Sequence, residues 1–412
     1  MNGVVAKEHP YSSPTLIVRL FLLSLISIAL LGCDARIGRF DTNEVYALTL
    51  ARSRSTPADA ARIDAAAVLD ELFGSPDQPR WPDQLDARST TRLVDPQRLA
   101  RAAGPLSSEK DGTHRGLFRE HCVICHGLPG NGAGPASLFQ NPYPRDFRHG
   151  VFKWKSTERG AKPTGNDLRR LLEQGVPGTA MPSFSLLSSE DLQSLVDYVI
   201  YLSIRGEVER RMIAAAIDQL GYDQSPPDDG LRLTATGDSE GSQVVQEILS
   251  GVAASWRDAD SHVVPVPSWT ALEGQAYEDS VSRGKDLFHG PIANCVGCHG
   301  AAGNGDMVTL DYDDWTKEYS TRVGLTPGDR DAMRPFRDAG ALKPRPLKPR
   351  NLQDGMFRGG GDPETLYRRI SQGIAGTPMP TVEIVAEENG KGLTETQVWD
   401  LVRYIQSLAS RP

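Results

Sequence analysis

Apolar positions recur along this chain with helical spacing in several separated stretches. Residues 58–73, ADAARIDAAAVLDELF, follow Thr56-Pro57 and stop at Gly74, which are start and stop signals for a helix. Ile63, Ala67, Leu69 and Phe73 are expected to share its inward face. A short helix carrying Leu117 and Phe118 leads toward Cys122, and another is expected from Asp167 to Gly175. Ser188-Ser189-Glu190-Asp191 then opens a strongly periodic helix in which Leu192, Leu195, Val196, Val199 and Leu202 form one stripe. A further helix is expected in EVERRMIAAAIDQLG and a shorter one around VVQEIL.

The same order returns near the C-terminus, so an internal duplication organises the chain. Gly284-Lys-Asp-Leu-Phe288 leads to Cys295, Asp362 caps a short helix with Pro363 at its first position, and Thr394-x-x-Gln397 is a capping box opening QVWDLVRYIQSL. One insertion, near residues 306–343, separates the two copies; it begins acidic (DYDDW) and leads into Lys-Pro-Arg-Pro. Residues 206–278 join the copies, and their Pro- and Asp-rich pieces (DQSPPDDG, VVPVPSW) predict an articulated linker. Residues 33–108 read as a helical spacer without evident chemistry.

The N-terminus breaks the pattern. LFLLSLISIALL, residues 20–31, is an uncharged apolar run preceded by Lys7 and Arg19, short for a bilayer span and suited to the core of a signal peptide. It closes as Leu30-Leu31-Gly32-Cys33, which resembles the bacterial lipoprotein cleavage box. That resemblance implies removal of residues 1–32, lipidation of Cys33, and a soluble part held on the periplasmic side of a bacterial membrane. The other reading, an uncleaved anchor helix from near Leu16, places Arg19 in the apolar stretch.

Composition changes little in this picture. The 412 residues are 39% hydrophobic and 24% charged, room for two or three ordinary domains. A net charge of −8 gives no reason to expect nucleic acid as a partner. With Cys33 explained, the other four of the five cysteines lie in two short motifs, which leaves no disulfide framework to infer.

Those motifs are Cys122-Val-Ile-Cys125-His126 and Cys295-Val-Gly-Cys298-His299. C-x-x-C-H attaches a c-type haem: two thiols add across two porphyrin vinyl groups, and the adjacent imidazole reaches the iron. A structural zinc shared by two C-x-x-C units wants them roughly 15–20 residues apart, far closer than here. A thioredoxin-like redox pair needs a βαβ setting that neither site has, and a disulfide clip would not explain a trailing His in both.

The second axial position decides between electron transfer and chemistry. QGVPGTAMP and QGIAGTPMP agree at six of nine positions and place Met181 and Met379 directly before Pro in a glycine-rich loop. A lone Met is more often core filler; two at the same point of a repeat, downstream of C-x-x-C-H, point to thioether ligation. His114, His121, His149 and His289 have no counterpart between the copies, though one could displace a Met. Pro144-Arg145-Asp-Phe also recurs, as Pro349-Arg350-Asn-Leu, making Arg145 and Arg350 candidates to meet a haem propionate with paired donors. A solvated Arg in a proline turn is the other reading.

With a Phe-bearing helix, C-x-x-C-H, a Met loop and an aromatic C-terminal helix (Tyr198 and Tyr201; Trp399 and Tyr404), each copy resembles a class I cytochrome c. The resemblance implies a mostly α fold with two tandem cytochrome c domains, 109–205 and 279–412. It implies two covalent haems, with iron ligands His126 and Met181, His299 and Met379. In each module the first and last helices should cross, although the Gly stands four residues before Phe288 and only two before Phe118. The function expected is electron carriage between a membrane redox complex, quinol-oxidising or haem–copper oxidase, and a soluble carrier. The rival is a dihaem enzyme, a peroxidase or a thiosulfate-oxidising protein, which would need one iron open; the matched Met loops argue for the carrier.

Overall fold

The computed structural model describes residues 3, 38–86, 92–104, 116–223, 227–307, 311–388 and 390–409. The apolar run at 20–31, Cys33 and His114 lie outside them. Among the described residues the protein is helical throughout, with isolated bridges and no strand, and no helix is long and apolar enough to cross a membrane. All the described helices lie in one compact unit, Arg39–Pro412.

Before the first motif come α1 (Glu44–Arg54), α2 (Asp59–Phe73) and α3 (Pro96–Ala102). Then follow α4 (Leu117–His121), the single-turn α5 (Val123–His126), α6 (Gly165–Gln174) and α7 (Ser189–Gln219). Helix α8 (Glu240–Arg257) precedes the second module, which contains α9 (Gly274–His289), the single-turn α10 (Val296–His299), α11 (Asp314–Glu318), α12 (Arg334–Asp338), α13 (Pro363–Gln372) and α14 (Glu395–Ala409).

Helix α2 stops as expected at Gly74, whose φ of 71° suits glycine. Leu69 and Phe73 are buried as expected, but Ile63 is 57% exposed and Ala67 is exposed too; Ala61, Ala65, Val68 and Leu72 complete the inward face instead. The i, i+4, i+7, i+8, i+11 set outweighs the more scattered apolar positions.

Helix α7 departs further from expectation. The stripe Leu192, Leu195, Val196, Val199, Leu202 is buried, but so are Ser194, Asp197, Tyr198, Ile200 and Tyr201, leaving no solvent face in this stretch. Helices α2, α3 and α8 all pack on α7. The expected domain boundary at 205/206 falls inside this helix, which runs on without a break to Gln219. Gly206 does not stop it; a Cβ there would lie 2.4 Å from Arg148 Cα, so this glycine permits a close backbone approach.

The segment read as spacer and the linker as far as Trp256 therefore belong to the first module's core, while Val266 and Trp269 of the linker pack on the second. One apolar cluster runs from Phe40 through Leu69, Phe118 and Tyr198 to Trp256, and a second, built on Phe288, Leu366, Trp399 and Tyr404, serves the second module. Polar anchors fix the added segments: Tyr201 Oη donates to Phe73 O at 2.6 Å, and Asp64 takes Tyr222 Oη at 2.7 Å and Arg232 Nη2 at 2.6 Å.

The 306–343 insertion is also structural. Its Leu325, Met333 and Phe336 form a small core against Val45 and Leu48 of α1. Arg52 Nε donates to Val323 O at 2.9 Å, and Arg210 pairs with Glu318. The Pro-rich strap fastens the modules as well, with Val264 N donating to Ser156 O and Arg368 Nε to Val264 O, at 3.0 and 3.1 Å.

Candidate haem sites

Each Cys-x-x-Cys-His closes into one helical turn. His126 N donates to Cys122 O and His299 N to Cys295 O, both at 2.8 Å. Gly127 and Gly300, with φ of 73° and 77°, end the turns. The chain then folds back identically: Gly132 N donates to His126 O and Gly305 N to His299 O, at 2.8 and 2.9 Å. No disulfide joins the four motif cysteines, which leaves both sulfurs of each pair for haem attachment.

The recurring Pro-Arg segment acts here through its backbone. His126 Nδ1 lies 3.0 Å from Arg145 O, and His299 Nδ1 lies 3.0 Å from Arg350 O. A carbonyl accepts only, so it holds the proton on Nδ1 and leaves the Nε2 lone pair for a metal. Burial, only partly opposed by that hydrogen bond, lowers His126 to about 4 and lowers His299 as well, so both imidazoles stay neutral. Phe147 stacks on His126 at 4.6 Å, limiting ring rotation.

The two methionine loops match bond for bond. Val176 N donates to Met181 O and Ile374 N to Met379 O, at 3.1 and 3.3 Å. Thr179 and Thr377 each tie the loop twice. Their hydroxyls donate to Val176 O and Ile374 O, at 2.7 and 2.8 Å, and accept from Met181 N and Met379 N, at 3.1 and 3.3 Å. Conserving Thr at this point of the repeat fixes the backbone from which each thioether projects. Both Met side chains are half-buried.

The helix crossing differs between modules. In the second, α9 crosses α14 at Gly284, where a Cβ would lie 2.1 Å from Asp400 O, and Phe288 meets Tyr404 at 5.3 Å. In the first, Phe118 meets Tyr198 at 4.9 Å, but α4 has only five residues, and α3 lies along α7 in its place. Arg98 of α3 reaches Asp197 at 2.8 Å much as Arg283 of α9 reaches Asp400 at 2.8 Å.

The side chains of Arg145 and Arg350 occupy the contact between modules. The Arg145 guanidinium lies 3.8 Å from the ring centre of Trp315, in the insertion. Arg350 Nη2 donates to Met356 O at 3.1 Å. Several buried donors lack a partner among the described residues: Arg350 Nε, Arg358 Nε, Arg369 Nη2, Trp315 Nε1 and Trp399 Nε1. Unmatched donors of this kind suit a buried group bearing carboxylates, and with neutral imidazoles and paired thiols the donor set fits haem.

Sequence reasoning missed Lys153, Arg159, Trp315 and Arg358. Gly-Val-Phe-Lys153 recurring as Gly-Met-Phe-Arg358 was the available signal for two of them. Nothing local marks Arg159, which reaches across to the second Met loop through Met379 O at 2.7 Å and Thr377 O at 2.9 Å.

Comparison with known families agrees with this geometry. Residues 111–199 match the family described as cytochrome c oxidase, cbb3-type, subunit III, and residues 281–409 match cytochrome c. No curated protein matches the chain. Among solved structures, a chain of the reducing HAO-like protein complex of Kuenenia stuttgartiensis is similar at 24% identity and a TM-score of 0.42, covering 74% of this chain and 98% of that one.

Proposed function

We propose that this tandem class I cytochrome c, with its two covalently bound c-type haems, is an electron carrier of a respiratory chain. The iron ligands are His126 and Met181 in the first module, and His299 and Met379 in the second. The observation that carries the reading is the matched pair of sites: each histidine has its Nδ1 held by an Arg carbonyl, and each methionine sits in the same Thr-tied loop. The haem supplies one-electron chemistry when bound. The chain keeps both imidazoles neutral, holds Nε2 free and presents a soft thioether, a set that favours electron shuttling at raised potential.

The protein works outside the cytoplasm, anchored through a lipidated Cys33 on the periplasmic face of a bacterial membrane. It passes electrons between a quinol-oxidising complex or haem–copper oxidase and a soluble carrier. Support for the anchor is the apolar run closing on Leu30-Leu31-Gly32-Cys33.

The test is carbon monoxide binding to the reduced protein, followed in the visible spectrum. Two closed irons bind it slowly or not at all, and each of M181A and M379A admits it at one haem. Rapid binding by the unmutated protein, or peroxide turnover with a cytochrome donor, assigns the chain to dihaem enzymes instead.

A further inference from the structure

The contact between modules is built on the two Met loops. Gly178 and Gly376 occupy the same place in those loops: Gly178 is covered by the second module, and Gly376 by Trp315 of the insertion, on which Arg145 of the first module stacks. A Cβ on Gly178 would lie 2.9 Å from Met356 Sδ and 3.4 Å from Arg350 Nη2. On Gly376 it would lie 2.1 Å from Trp315 Cη2, in the ring that Arg145 stacks on. Between these two covers the chain collects cations. Lys153 and Arg358 follow Phe152 and Phe357 at equivalent positions, and Gly359 packs so closely on Trp154 that its Cβ would lie 2.8 Å from Trp154 Cγ. Arg369 adds its guanidinium 5.1 Å from the Trp154 ring centre.

Cations gathered this way repel one another and lose hydration. Burial lowers Lys153 to about 7, with Arg145 and Arg358 adding repulsion, and burial lowers Arg145 and Arg369 to about 10 each. Burial lowers Arg358 too, with Arg350 adding to it. The carboxylates that face the group are engaged: Asp146 is held by Arg148, Asp313 caps Thr316 N, Asp314 pairs with Arg322, Asp354 faces Arg350 at 3.8 Å, and Asp362 caps Thr365 N. In a chain of net charge −8, a half-buried seam this positive suits an anion.

We infer that the seam between the modules is one shared carboxylate site, in which Lys153 and Arg358, backed by Arg145, Arg350 and Arg369, receive the propionates of both haems. This rests on the two-haem reading above and extends it: the modules are one electrostatic unit, and a charge on either side of the seam acts on both irons. The insertion serves that unit, because Trp315 seats Arg145 at the seam and covers the second Met loop at once.

The experiment is a spectroscopic redox titration of the full-length, two-haem protein carrying K153M or R358M, with covalent haem content checked first. A cation near a haem favours the reduced state, so removing one should lower the potential. Each single substitution is expected to lower both waves, the larger by about tenfold in the reduced-to-oxidised ratio at fixed ambient potential, about 59 mV for a one-electron couple. K153R should keep both waves in place, as should R334M, which removes a 66% exposed arginine elsewhere. If K153M fails to hold two haems, K153Q is the second variant. Movement of only one wave by each substitution overturns the shared site, and so does movement of neither. The result does not depend on the methionine ligands: if M181A and M379A leave the waves unmoved, the ligand reading fails while the count of waves moved by K153M still judges the seam.

Discussion

In the second module the helix leading to the cysteines runs sixteen residues, Gly274–His289, and crosses the last helix at a glycine; in the first, the equivalent helix has five, Leu117–His121. The shorter helix keeps the aromatic contact, Phe118 on Tyr198, and gives up the rest. Its missing length is supplied by α3, whose Leu99 is buried and whose Arg98 meets Asp197. Helix α7 is consequently covered on every side between Ser194 and Glu209, whereas α14 keeps a core assembled mainly from its own module. The same haem motif can thus sit in a frame assembled mainly from its own module or in one that borrows helices from far along the chain.

Haem content breaks the comparison most sharply. Replacing Cys122 and Cys125 with Ala should leave one covalent haem per chain, held by the second module, and replacing Cys295 and Cys298 should leave the other. Acid–acetone extraction followed by haem staining reads the count, and a doubly substituted protein that still holds two covalent haems would refute the assignment.

Dissection tests the borrowed frame. Residues 263–412, exported with their haem-attachment motif, should fold and hold one haem, because they contain Trp269, Phe288, Trp399 and Tyr404 of the second core. Residues 109–205 should not, since α2, α3 and α8 are absent and the faces of Tyr198, Tyr201 and Leu202 lie open. Exposing side chains of this size costs about 1.5–3 kcal/mol each, enough together to exceed a small domain's stability. Thermal melts by circular dichroism read both fragments; a stable 109–205 holoprotein would show that the added helices are decoration.

Acid should separate the modules next. Burial pushes Asp146 up, but Arg148 and His149 outweigh it and hold it at about 2. The equivalent residue in the second module is Asn351, which cannot titrate. A carboxylate depressed in the folded state adds stability above its unfolded pKa and loses it as pH falls through the folded value. Asp146 should therefore cost the first module about 2 kcal/mol between pH 4 and pH 2, a contribution that Asn351 cannot make in the second. D146N should remove the difference, measured as the pH at which each haem's visible spectrum changes.

What could be read from sequence was what is local. Capping boxes, glycine stops and the tied Met loops follow from side chains within a few residues of one another: Thr394 with Gln397, Asp362 with Thr365, Thr179 with Val176. The two-cytochrome fold and its haems were legible for the same reason. The merging of two expected helices into Ser189–Gln219 was not, because Gly206 stands between their apolar patterns and only its close approach to Arg148 explains why a glycine is there. Linker composition misled in the same way: Pro and Asp mark turns, but whether a turn-rich strap is loose depends on partners such as Ser156 and Arg368, far along the chain. Arg145 and Arg350 were found for their side chains, while their carbonyls orient the histidines.

The smallest expected effect concerns the two Met loops, alike internally but braced differently. Arg159 of the first module donates both terminal nitrogens into the second loop, to Met379 O and Thr377 O. The first loop has no such clamp among the described contacts; the second module covers it at Gly178 with Met356 and Arg350. A guanidinium on two carbonyls restrains the peptide from which Met379 projects, although hydrogen bonds of this kind are worth only about 1.5–3 kcal/mol each at most. R159A should leave both haems attached and the first iron closed. The second iron should admit carbon monoxide several-fold faster than in the unmutated protein, because the loop opens more often while its internal Thr377 ties persist. R159K should recover little, since one ammonium cannot span both carbonyls. Equal acceleration at both haems would show that the loops move together, and the difference in bracing would then carry no functional weight.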